Sequence, residues 1–100
     1  MATVEVDAYV IDTLLPDLVG HDRRPSAFLV YLHLWRQSDG GAAAVSRSLR
    51  EIADGTGLSK RAVQEALEQL TRRRLIAAER EGITAVGTFR VHRPWAERRR

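Results

Sequence analysis

The 100-residue sequence contains no cysteine. That absence excludes disulfides, thiolate catalysis, iron–sulfur clusters and cysteine-based zinc sites together. It suits a chain at home in a reducing cytosol. Long apolar runs are missing too: none approaches the ~20 residues that a bilayer-spanning helix needs. The first ten residues, MATVEVDAYV, have no basic stretch and no long apolar core, so a secretory signal is not expected. The length leaves room for one hydrophobic core, not two. Barrels and doubly wound sheets with a separate substrate domain are set aside. Lysine is nearly absent: Lys60 is the only one among 16 basic residues.

The charge that is present is unevenly placed. Residues 1–45 carry three arginines against six acids, and residues 46–100 carry 13 basic groups against seven acids. The net charge of +3 therefore averages an acidic half of −3 and a basic half of +6. A basic half points to a polyanion, with nucleic acid first. The plain account is an arginine-rich surface reflecting a GC-rich coding genome.

In residues 1–20, Val4 and Val6 alternate with polar neighbours as in a short strand. Tyr9, Val10, Thr13 and Leu14 recur at helical spacing, which favours a helix over roughly 7–15. Pro16 ends it or opens a second turn. GHDRRP (20–25) reads as a loop. Pro25-Ser26 opens a helix running to about Gln37, apolar almost all round from Ala27 to Trp35, so it needs cover on more than one side. Residues 1–20, a partner subunit, or both would supply that cover. Asp39-Gly40-Gly41 ends it with turn chemistry. Residues 42–46 allow a minimal strand. Ser48-Leu49-Arg50-Glu51 is a capping box, and the brief helix it starts stops at Gly55-Thr56-Gly57. Ser59 caps a second helix over about 60–73, with Ala62, Val63, Ala66, Leu67 and Leu70 on one face. Leu75 to Glu79 and Ile83 to Arg93 read as strands around a tight turn at Glu81-Gly82. Pro94-Trp95 leaves the strand, and 96–100 is a flexible basic tail.

Catalytic and metal signals are weak. His21, His33 and His92 lie in a loop, an apolar helix and a strand, without metal-ligand spacing. His33 reads as a packing residue. The serines at 26, 38, 46, 48 and 59 suit caps and turns, with no nucleophile elbow. Gly55-Thr56-Gly57 lacks the rest of a phosphate loop. Trp35 and Trp95 read as packing anchors. No enzymatic activity, cofactor or metal is expected.

Residues 48–76, SLREIADGTGLSKRAVQEALEQLTRRRLI, resemble a helix-turn-helix. Ala53 is small where two helices cross, Gly57 suits a left-handed turn, and Leu58 and Val63 fill the angle between them. The strand–turn–strand that follows is similar to the wing of winged helix-turn-helix domains. LTRRRLI is similar to the junction into the wing in GntR-type regulators and plasmid replication initiators. There a Gly often precedes Leu-Ile, whereas this chain has Arg74. The resemblance covers about 25–93. It implies an α+β, mostly α fold: a single winged helix-turn-helix domain of three core helices plus a small β-hairpin wing. An N-terminal packing or dimerisation segment (1–24) precedes a domain at 25–95.

The resemblance further implies double-stranded DNA binding, with the 60–73 helix in the major groove. Lys60, Arg61 and Gln64 would then meet base edges, where Arg reads guanine and Gln adenine, and the capping Ser59 is counted with them among the DNA-binding residues. Ser46, Arg47, Ser48 and Arg50 would approach phosphates, and Arg80 and Arg90 would flank the wing against phosphates or the minor groove. Arg72-Arg73-Arg74 reads better as a complement to the helix dipole. Glu65 and Glu68 would repel phosphate, pair along the helix, or accept from cytosine. The function expected is prokaryotic transcriptional regulation by a cytoplasmic, nucleoid-associated homodimer, with no membrane partner and an undefined effector. The alternative is the same fold used as a protein-interaction or assembly module.

Overall fold

The structure is a computed structural model that describes residues 1–80 and 86–97, the side chains of Arg80 and Glu97 excepted. The chain runs through two π-helical turns (Val10–Leu14, Asp17–His21), then α1 (Pro25–Gln37), β1 (Val45–Arg47), α2 (Leu49–Thr56), α3 (Lys60–Arg72), β2 (Ile76–Arg80), β3 (Gly87–Val91) and α4 (Pro94–Glu97). It is mostly helical with one small antiparallel sheet, the α+β architecture of a winged helix-turn-helix domain. The expected turn at Glu81-Gly82, the start of the second strand at 83–85 and the tail at 98–100 lie outside the described residues.

The N-terminal segment winds differently from the expected α-helix over 7–15. Pro16 has no N–H to give, and the turns on either side are π-helical, with Leu15 N–H bonded to the Val10 carbonyl and Asp22 N–H to the Asp17 carbonyl. Val10, Leu14 and Leu18, spaced by four, are buried. They join residues of α1, α2, α3 and the sheet in one core cluster.

Pro25 occupies the first turn of α1, where its missing N–H is harmless. Ala27, Phe28, Val30, Tyr31, Leu34 and Trp35 are buried. Cover is incomplete, however: Leu29 stays 44% exposed. A Schellman motif closes the helix. Gly40 N–H bonds to the Trp35 carbonyl, and Asp39 and Gly40 take φ of 55° and 69°. Gly41 follows at φ 92°, where a Cβ would stand 2.9 Å from the Val91 carbonyl oxygen. Glycine is the residue that this crossing admits.

The sheet has three strands in the order β1-β3-β2. The expected hairpin wing is thus joined by β1, slightly later in the chain than the 42–46 expected. Val45 pairs with Phe89, and Ile76 with Val91. These apolar side chains face the helices, while Ser46, Thr88 and Arg90 face outward. Pro94-Trp95 leaves the strand as expected and opens α4. The Trp95 indole N–H and the Arg93 guanidinium both donate to the Asp7 carboxylate at 2.7–3.0 Å. Tyr9, Trp95 and Trp35 stack in series, with centroids 4.5 and 6.5 Å apart. The Trp35 indole N–H bonds to the Glu5 carbonyl at 2.8 Å. The two ends of the chain are thereby clamped together over α1.

Candidate nucleic-acid interface

Two capped helices and the turn between them build the candidate site. Ser48 Oγ accepts from Glu51 N–H at 3.0 Å, and Glu51 Oε1 accepts from Ser48 N–H at 2.8 Å. This is the capping box that the spacing predicts. The Ser48 backbone bond holds the Glu51 carboxyl below the usual carboxylate range. Gly57 ends α2 at φ 81°, its N–H on the Ala53 carbonyl. Leu58, half-buried, packs against the core. Ser59 Oγ then accepts from Ala62 N–H at 3.0 Å. Both serine caps keep their O–H as a donor.

Gly55 lies within α2 rather than in its stop. A Cβ there would run into the His33 ring, so the glycine lets α1 and α2 approach. His33 packs at this crossing as expected, and burial pushes its imidazole pKa down, aided by the Arg47 charge.

Val63, Ala66, Leu67 and Leu70 bury one face of α3. Lys60, Arg61 and Gln64 stand exposed together on its first two turns. Farther along, the exposed face carries Glu68 and Arg72, and Arg72 bonds to Gln69 at 2.9 Å. A shallow cleft of about 420 Å³ separates α3 from the sheet, lined by Gln64, Leu67, Glu68, Thr71, Arg72, Ala78 and Phe89.

The other candidate residues disperse around this helix. Arg47 is half-buried and engaged, donating to Gln37 Oε1 and to the Ser46 carbonyl, each at 2.8 Å. Arg50 is largely exposed beside Asp54 at 4.0 Å. The sheet brings Arg47 and Arg80 into one cross-strand row, each opposite Gly87 from its own side. Arg90 sits three positions along β3 from that row, about 10 Å away, exposed and opposite Ala77. Arg73, read from the sequence as a dipole complement, caps α3 and also reaches Asp17 at 2.8 Å and Asp22 at 3.3 Å.

A second basic group, absent from the sequence-derived set, borders α3. Arg23 and Arg24 are exposed in the loop before α1, and Arg24 Nη1 lies 3.5 Å from Glu65 Oε1. The Arg-Arg-Pro run ahead of a helix is the one signal the sequence offers for it. Its meaning depends on a contact 41 residues distant in sequence.

Among the described residues no helix is long and apolar enough to cross a membrane, and no group of three or more His, Asp or Glu side chains is placed to hold a metal. A family model described as helix-turn-helix domain matches residues 24–76, from the loop before α1 to the first residue of β2. No curated protein and no solved structure matches the chain. Such domains are of a DNA-binding kind, which suggests DNA as a partner here. With α2, the Gly57 turn and α3 arranged as described and more than half of the chain matched, this protein belongs to the helix-turn-helix domain family.

Proposed function

We propose that the chain binds double-stranded DNA sequence-selectively, with α3 in the major groove and the β2–β3 wing on the backbone or minor groove, as a homodimeric regulator of transcription. The observation that carries this reading is the exposed cluster of Lys60, Arg61 and Gln64 on the first two turns of α3. Major-groove readers present base-contacting side chains from this part of the recognition helix. Ser48, Ser59 and Arg50 supply further donors toward phosphates, and Arg47, Arg80 and Arg90 belong to the wing side. The left-handed Arg74 before Leu75-Ile76 supports kinship with GntR-type and replication-initiator junctions, which often hold glycine there.

Dimerisation is supported by Ile11 and Val19, 47% and 36% exposed, flanking the half-buried Leu15 at spacings of four. This stripe adjoins the buried one. A fluorescence-anisotropy titration with duplex DNA tests the binding. Affinity should fall steeply with salt, because each neutralised phosphate adds about 0.9 to the logarithmic slope. Binding that is absent or indifferent to salt overturns the reading. Sedimentation tests the dimer: Ile11→Lys with Val19→Lys should sediment as a monomer, and a wild-type monomer refutes that part. The acidic Glu65 and Glu68 favour a second reading, a protein-assembly module. A partner that survives Lys60→Ala/Arg61→Ala, with no DNA binding, would select it.

A further inference from the structure

The second π-helical turn and the loop that joins it to α1 are docked along one flank of α3 and its C-terminal cap. Asp17 meets Arg73 at 2.8 Å, Asp22 meets Gln69 at 2.8 Å and Arg73 at 3.3 Å, and Arg24 meets Glu65 at 3.5 Å. As the loop advances, its partners step back toward the N-terminus of α3, so the two segments run antiparallel. The loop is well held. The Asp22 side chain is only 7% exposed, Arg24 N–H bonds to the Leu18 carbonyl at 2.8 Å, and Arg23 turns the chain at φ 55°. Arg24 is therefore delivered to the recognition helix by a fixed element.

Glu65 lies where this loop and α3 meet. Its Oε1 faces Arg24 Nη1 at 3.5 Å, and its Oε2 faces Arg61 Nε at 3.4 Å. One carboxylate thus bridges two guanidinium groups from different elements. The Arg61 contact is made through Nε, on a side chain that stays 88% exposed. Both contacts are long for charge-assisted bonds and half-open to water, so exchanging one for a phosphate sacrifices little.

We propose, resting on the DNA-binding reading above, that Arg24, Glu65 and Arg61 form a bridged triad that divides recognition. Arg24 takes a backbone phosphate on the flank of the groove away from the wing. Arg61 is presented to a base edge. Glu65 is a positioning residue that holds both, and its charge keeps this face of α3 from gripping phosphate indiscriminately. Glu65 then ceases to be an obstacle to DNA and becomes the source of selectivity. The triad also extends the footprint to a loop outside α2, α3 and the wing.

The test uses the full chain and two duplexes of equal length, one selected by the wild type from a random pool and one unrelated. Anisotropy is read between about 50 and 200 mM salt. Arg24→Gln should lower the magnitude of the salt slope by about 0.9 on both duplexes alike, and Arg24→Lys should restore it. Glu65→Gln should reduce discrimination between the duplexes by about tenfold or more while binding to the unrelated duplex holds or tightens. A merely structural pair would shift the melting temperature and leave slope and discrimination unchanged. If the wild type binds and Arg24→Gln keeps its slope, or Glu65→Gln keeps its discrimination, the triad is overturned alone. If the wild type binds neither duplex, the DNA reading falls and takes the triad with it.

Discussion

Arg74 has a φ of 59° immediately after α3. Its N–H bonds to the Thr71 carbonyl and that of Leu75 to the Leu70 carbonyl, a Schellman motif whose left-handed residue is ordinarily glycine. Arginine holds the position against the Cβ clash that disfavours left-handed backbone. Arg74→Gly should therefore stabilise the fold by about 0.5–1 kcal/mol, read from urea unfolding, and a loss of stability would contradict the strain. Asp7 is the complementary case, a residue whose side-chain hydrogen bonds all go to distant partners. Its carboxyl is held below the usual range, first by the Trp95 indole and then by Arg93, against the opposing effect of burial. A depressed carboxylate stabilises above its unfolded value of 3.8 and loses that contribution as pH falls through the lower folded value. Asp7→Asn should destabilise at neutral pH by about 1–2 kcal/mol, the carboxylate being partly exposed. The difference from wild type should shrink as pH drops below about 4. A pH-independent gap would show that charge is not the cause.

At the scale of elements, α2 and α3 are written in residues close together in the chain. The caps at Ser48 and Ser59, the turn at Gly57 and the buried face Val63, Ala66, Leu67, Leu70 all act within a few positions of one another. All are therefore legible in the amino-acid order alone. The N-terminal segment is less so, because an α-periodicity and a π-helical winding around Pro16 place nearly the same apolar residues inward. The third strand is also obscure, since three residues give too short a pattern to commit a segment to a sheet. Arg61 makes an element-level test. Arg61→Ala should weaken binding to a preferred duplex by about 1–3 kcal/mol while an unrelated duplex loses less. Equal losses on both would reduce Arg61 to a phosphate contact.

The molecule as a whole is one core that the N-terminal turns help to close. Leu18 is fully buried and belongs to the same cluster as Ile52 of α2 and Phe89 of β3. Leu18→Ala should destabilise by about 2–5 kcal/mol and leave a single cooperative unfolding transition. Two separate transitions would show that residues 1–24 are a detachable segment. The scaffold also explains the uneven charge. Most N-terminal acids with described contacts face basic or donor groups of the second half: Asp7 meets Arg93, and Asp17 and Asp22 meet Arg73. The division into an acidic and a basic half is thus partly internal pairing, and the basic surface left over is smaller than +6 suggests.

Local order was decided by the sequence itself: a helix-turn-helix with its caps, its stops and the outward cluster Lys60, Arg61, Gln64. Caps, turns and periodicity are satisfied within one or two turns of chain, so they can be read in series. What the tertiary structure alone decided are the long-range pairings. These are the clamp of Asp7 on Arg93 and Trp95, the seating of Asp22 on α3, the third strand beside β3, and the reach of Arg24 to Glu65. Each joins segments far apart in the chain. Any of many charged side chains would serve equally as a partner until the core fixes which backbones lie side by side.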